Sequence, residues 1–255
     1  MNNFPVIPDH IIAFLFGFAL PVVSGIRSAR VLKTLRLNDL QRRRFYFSNS
    51  FFLWAITLII LLNWMLFSRS AGALGITKAP LLSTTVIMLS FGFIILYLLD
   101  SVITIKCEVG MEGKKPWTEL TPFLPIKKSH LPAYTFMCIT AGICEEIIFR
   151  GFLVTYAKSF FENDYPAVII PAAVFAVAHF YQGIIAVIKI FILSVIFGFI
   201  FLRSGSLWIV MFLHFAIDFA GGFIYMKYQN EIKETEKVTA PPGEVDDNRE
   251  TKEEG

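Results

Sequence analysis

Glu145, Glu146 and Arg150 lie inside an apolar stretch, Leu131 to Leu153, that is long enough to cross a bilayer. Asp, Lys or Arg at the centre of a membrane helix costs about 2.5–3.5 kcal/mol on insertion scales. A span therefore carries three such groups only where they pair with one another or line a wet cavity. On a helix, Glu146 and Arg150 are four residues apart on one face, acid first, which is the better orientation for an ion pair. Glu145 is rotated by about 100° from Glu146 and stays free for another partner. Downstream, Phe175-Ala-Val-Ala-His179 closes one apolar run, and His214-Phe-Ala-Ile-Asp218 lies in another. His214 and Asp218 are also four apart, so both point to the same side of their helix.

Glu, His, His and Asp serve hydrolysis in two ways. In one, Glu145 and His179 hold a water, Glu145 takes its proton as the oxygen attacks a peptide carbonyl, and His214 donates to the oxyanion. In the other, Glu145, His179 and His214 bind zinc, which acidifies a bound water. No HExxH motif is present, so spacing alone does not establish a metal. Two further readings compete: the charges form a salt-bridged staple between helices, or they form the proton relay of a coupled transporter. Transport would be favoured by an inverted repeat, and the titratable residues are instead confined to the second half of the chain.

The elements that must position these residues follow from composition. Of 255 residues, 55% are hydrophobic and only 17% charged, against about 25% charged in soluble domains. The apolar runs are continuous rather than alternating, which excludes a transmembrane barrel in favour of an all-α, polytopic helical bundle. The runs fall near 8–26, 46–67, 81–99, 131–156, 166–180, 184–202 and 206–226, predicting seven spans, or eight if one stretch divides. The run before His179 is short, as expected of a recessed helix beside a polar cavity. No Lys or Arg precedes the first run, which is therefore read as an uncleaved span.

With seven spans, 17 basic residues collect on one side and four (Arg69, Lys78, Lys158, Arg203) on the other. The positive-inside rule then places the N-terminus outside and the C-terminus in the cytoplasm. Residues 31–44 mix leucines with basic side chains and read either as an interfacial amphipathic helix or as a solvated loop. Three cysteines, Cys107, Cys138 and Cys144, match no disulfide or zinc framework, and Cys144, beside Glu145, reads as a packed, unreactive thiol. His10 and His130 fall at span edges and read as interfacial. From Glu231 onward nine acids face four bases around Pro241, Pro242 and Gly243, the composition of a disordered tail. The chain thus divides into N-terminal spans (1–130), a core (131–226) and a cytoplasmic tail (227–255).

Glu145-Glu146-Ile-Ile-Phe-Arg150, Phe175-Ala-Val-Ala-His179 and His214-Phe-Ala-Ile-Asp218 resemble, in order and spacing, the EExxxR, FxxxH and HxxxN/D motifs of the CPBP intramembrane proteases. That family includes the CAAX prenyl endopeptidases and bacteriocin-processing or immunity proteins. The stretch Arg203-Ser-Gly-Ser-Leu-Trp208 also resembles the family's turn into the last motif helix, and the likeness covers about residues 130–225. It implies an intramembrane endopeptidase acting on a peptide or lipidated protein in the bilayer, with no nucleic-acid partner. Glu145 and His179 would activate the water, Glu146 and Arg150 support the site, and His214 and Asp218 stabilise the oxyanion. Eukaryotic-type members have Asn where this chain has Asp218, and an ionised Asp cannot donate to an oxyanion. Asp218 must be protonated, orient His214, or ligate a metal. A member of this family that only holds helices together, as an immunity factor or scaffold, is the alternative. No eukaryotic retention signal is present, which points to a bacterial inner membrane.

Overall fold

The computed structural model describes residues 4–31, 36–76, 79–109 and 122–239. Their long helices are α1 (Ile7–Val31), α2 (Asp39–Leu66), α3 (Thr84–Val109), α4 (131–158), α5 (Asp164–Ala178), α6 (Ile184–Ser204) and α7 (Trp208–Thr239). Every predicted apolar run falls on one of them, and no strand occurs among the described residues. The chain is an all-α membrane bundle. α1, α2, α3, α6 and α7 are each long and apolar enough to cross a bilayer. At 15 residues, α5 spans about 22 Å and falls short of the ~30 Å hydrocarbon core.

Local chemistry sets the helix ends. Asn38 accepts from Gln41 N at 2.8 Å while Gln41 accepts from Asn38 N at 3.0 Å, a capping box that starts α2. Asn163 caps α5 through Tyr165 N at 2.9 Å. Pro132 stands in the first turn of α4, where its missing N–H is harmless. α4 then runs without a break through Leu131–Glu146, a π-helical stretch Ile147–Val154, and Thr155–Lys158.

α4 is the central element and packs chiefly against α2 and α7. On one side Ile148, Phe152 and Leu153 meet Ile56, Ile60 and Trp64 of α2. On the other, Ile147 and Val154 meet Val210 and Met211 of α7 with Phe197 and Phe201 of α6. α5 packs between α1 and α6, and α3 lies at the rim. Phe51, Leu66, Met88 and Phe91 are largely exposed, the outward apolar face that a bundle presents to lipid.

Polar ties close both ends of α2. Asp9 of α1 is fully buried and accepts from Asn63 Nδ2 at 2.7 Å and from Arg69 Nη1 and Nη2 at 2.8 and 2.7 Å. At the other end Arg42 donates to Pro122 O and to Leu124 O, and Tyr46 donates to Phe123 O at 2.6 Å.

The fold refines or corrects four expectations from the sequence. His10 stays exposed and bonds Tyr156 Oη at 2.7 Å. His130, read as interfacial, is instead fully buried beside Asp39, because the 122–130 segment folds back over the start of α2. Between α1 and α2, residues 36–38 are not helical and Arg42–Arg44 belong to α2, while 32–35 lie outside the described residues. The tail read as disordered from 227 continues α7 as far as Thr239; its Glu- and Lys-rich run suits a helix. Residues 240–255 lie outside the described residues.

Candidate functional site

The predicted ion pair is present and buried. Arg150 Nη1 donates to Glu146 Oε1 at 2.8 Å, with both side chains no more than 2% exposed. The same oxygen accepts from His214 Nδ1 at 2.7 Å, so one carboxylate joins α4 to α7. Arg150 Nη2 donates to Ser194 Oγ of α6 at 2.8 Å, and its guanidinium lies 4.8 Å from the Phe175 ring and 5.3 Å from that of Phe197. A weakly hydrated planar cation between two aromatic faces is well placed in a dry interior.

Close approach of α4 and α7 makes this possible. A Cβ on Gly142 would sit 3.0 Å from Met211 O and 3.1 Å from Phe215 N, so a side chain there would press the two backbones apart by a few tenths of an ångström. One turn later come Glu145 and Glu146; between Met211 and Phe215 stands His214. The π-helical stretch begins directly after Glu146 and contains Arg150; such widened turns recur at functional sites.

Glu145 and Asp218 approach the other nitrogen of the same imidazole. His214 Nε2 lies 3.5 Å from Asp218 Oδ2 and 3.8 Å from Glu145 Oε2. His179 caps the end of α5, where its Nδ1 donates to Phe175 O at 2.8 Å. A carbonyl can only accept, so the Nδ1 proton is assigned by its partner and Nε2 keeps a free lone pair.

Two cavities, about 460 and 420 Å³, meet at these groups. The larger is lined by Glu145 with residues of α1, α2, α4 and the 122–124 segment. The smaller lies among α3, α6 and α7 and reaches Arg150 and His214. His179 and Asp218 line both. The structure therefore brings Glu145, His179 and Asp218 to a shared solvent-accessible space and sets Glu146, Arg150 and His214 in the wall behind it. Asp218 keeps a side chain 38% exposed, so it is not sealed from that space.

Among the described residues no group of three or more His, Cys, Asp or Glu side chains is arranged to hold a metal ion. His214 meets Glu146 with Nδ1 and the two other carboxylates with Nε2. Glu145, His179 and His214 do not form such a group among the described residues. Cys138 and Cys144 are buried free thiols, for Cys144 as read from the sequence.

Sequence reasoning missed Ser194 and Phe197 as partners of Arg150. Ser194 is the one hydroxyl in the apolar run 190–202, which is a usable signal; Phe197 is one of many phenylalanines there and carries none. Phe175 gains a role that its motif position did not disclose, as the face beneath Arg150 and the carbonyl that orients His179.

Residues 127–220 match the family described as type II CAAX prenyl endopeptidase Rce1-like. No curated protein and no solved structure matches the chain. The matched segment starts just before α4 and ends two residues after Asp218, so it contains all six residues singled out above.

Proposed function

We propose that this chain, whose residues 127–220 match the type II CAAX prenyl endopeptidase Rce1-like family and which is read as a CPBP-family membrane protease, hydrolyses a peptide bond of a membrane-associated substrate through a water held by Glu145 and His179. The observation that supports this most is the convergence of Glu145, His179 and Asp218, from three helices, on one cavity. Glu145 takes a proton as the water oxygen attacks the carbonyl carbon. His214, with Nδ1–H given to Glu146, carries a second proton on Nε2 that donates a hydrogen bond to the oxyanion and stays on the ring throughout. Asp218, 3.5 Å from that nitrogen, orients it; this is the role open to an ionised carboxylate. As the tetrahedral intermediate collapses, the C–N bond breaks and Glu145 returns its proton to the leaving amine.

The cavity lining includes Phe123, Leu124, Gln182 and Gly222, which lie toward the end of the bundle that the basic loops assign to the cytoplasm. The substrate class is a peptide or lipid-anchored protein reached from that face of a bacterial inner membrane, with a prenylated CAAX-type protein as the specific form. The burial of Glu146, Arg150 and His214 in one network also suits a non-proteolytic scaffold, and the following experiment separates the two. Purified protein is incubated with peptides that co-purify with the Glu145→Gln variant. Cleavage by the parent, and none by Glu145→Gln or His179→Ala, is expected. Equal rates in all three would refute the assignment, and no cleavage by any of them would favour the scaffold.

A further inference from the structure

Two tyrosines outside every motif of the site grip the helix that carries His214 and Asp218. Tyr97 of α3 donates its hydroxyl to Ile217 O at 3.0 Å, and Tyr134 of α4 donates to Asp218 O at 2.8 Å. In a regular helix these carbonyls face the N–H groups of residues 221 and 222, both of which are glycine. A Cβ on Gly222 would lie 2.3 Å from the Tyr134 ring and 2.5 Å from its hydroxyl, and one on Gly221 would lie 3.6 Å from Tyr97 Oη. Gly222 thus opens the gap through which Tyr134 reaches the backbone, and a carbonyl has a second lone pair to offer it.

Tyr134 is itself held. It is 3% exposed and packs edge-on at 5.6 Å against Tyr46, whose hydroxyl donates to Phe123 O. Tyr134 lines the larger cavity and Tyr97 the smaller one, so α7 is fastened on both flanks of the reactive groups. α6 and α7 make few contacts with each other, so the rotation of α7 is set chiefly by its packing on α4, the Gly142 contact and the Glu146–His214 bond, to which the two tyrosine hydroxyls add a hold on its backbone.

We propose that Tyr97 and Tyr134 are positioning residues: by clamping the carbonyls of Ile217 and Asp218 they hold His214 and Asp218 in register with Glu145 and Glu146. The consequence for turnover rests on the hydrolase reading. A rotation of α7 by about 10° would carry a side-chain terminus by roughly 1 Å, and a displacement of that size can cost about a hundredfold in rate.

The test is the Tyr97→Phe/Tyr134→Phe double variant of the full chain, which keeps both rings and removes only the hydroxyls. Two readings are taken: kcat and KM on the membrane-anchored peptide, and the imidazole resonance of ¹⁵N-labelled His214, assigned with His214→Gln. The expected result is near-parental folded yield, kcat lower by about tenfold to a hundredfold with KM little changed, and a shifted His214 resonance. An unchanged resonance overturns the clamp, as does an unchanged kcat. If the parent chain cleaves no peptide, the resonance decides alone: a shift upholds the clamp while the hydrolase reading fails. Should the double variant fold poorly, Tyr134→Phe alone gives the same pair of readings, and an unchanged value of either again overturns the clamp.

Discussion

Glu146 is the most demanding test of how this site is built, because one oxygen holds two partners and the pair it forms is fully buried. With Arg150 Nη1 at 2.8 Å, the charge centres are about 4 Å apart, an attraction of ~4 kcal/mol at an effective dielectric constant near 20. Glu146→Ala removes this attraction and leaves a guanidinium that keeps Ser194 and two aromatic faces but no carboxylate bonded to it. Breaking a buried pair from one side costs about 3–5 kcal/mol. Glu146→Gln keeps an oxygen able to accept from Arg150 and His214, and a hydrogen bond to a charged group retains about 1.5–3 kcal/mol, so its loss is smaller. Glu146→Leu/Arg150→Leu removes both charges, and replacing a buried pair by apolar residues is often neutral. Folded yield and SDS-induced unfolding in mixed micelles should therefore rank the parent highest, Glu146→Gln and the double variant, whose His214 Nδ1–H loses its acceptor, below it, and Glu146→Ala lowest. A Glu146→Ala loss of under about 1 kcal/mol, or a double variant no more stable than Glu146→Ala, would refute the buried-pair argument.

Further outcomes are expected. Glu145→Gln and His179→Ala should lower the cleavage rate by at least about a hundredfold while leaving unfolding unchanged, checked by peptide turnover beside melting; a loss of fold in either would recast that residue as structural. Gly142→Ala should separate α4 from α7 at a cost of about 1–3 kcal/mol and reduce turnover, read by unfolding and by kcat; a neutral effect would deny the close approach. Turnover should survive exhaustive chelation, followed by metal analysis of the active protein, and its loss with restoration by zinc would reinstate the metal reading. Burial pushes the His130 imidazole below its ordinary value, against the pull of Asp39. The folded state then holds fewer protons there than the unfolded one, so stability contributed by a neutral His130 is present above the ordinary imidazole value and falls as pH drops through it. His130→Gln should flatten the fall in melting temperature on acidification from about pH 7.5 to 5, and an unaltered slope would exclude His130 as its source.

Much of this molecule is legible in linear order because a membrane tolerates few patterns. Every helix must satisfy its own backbone and turn apolar side chains outward, so the runs near 8–26 through 206–226 had to become helices. The i, i+4 spacing put Glu146 with Arg150 and His214 with Asp218 whatever the bundle looked like. Composition misjudged the tail because helix-forming Glu and Lys are compatible with a continued α7, and misjudged His130 because no local signal says that the chain before α4 folds back over α2.

The six residues and their spacing were thus determined by sequence, and so was the membrane environment that makes their charges costly. Which of them share a bond was decided by tertiary structure alone. Glu146 meets His214, rather than Arg150 only, because Gly142 lets α4 and α7 touch. Ser194, Tyr97 and Tyr134 gained their roles the same way, from helices far apart in the chain. Periodicity fixes the face of a helix to which a residue belongs; only packing determines the neighbour which that face meets, because contact depends on how near two backbones can come.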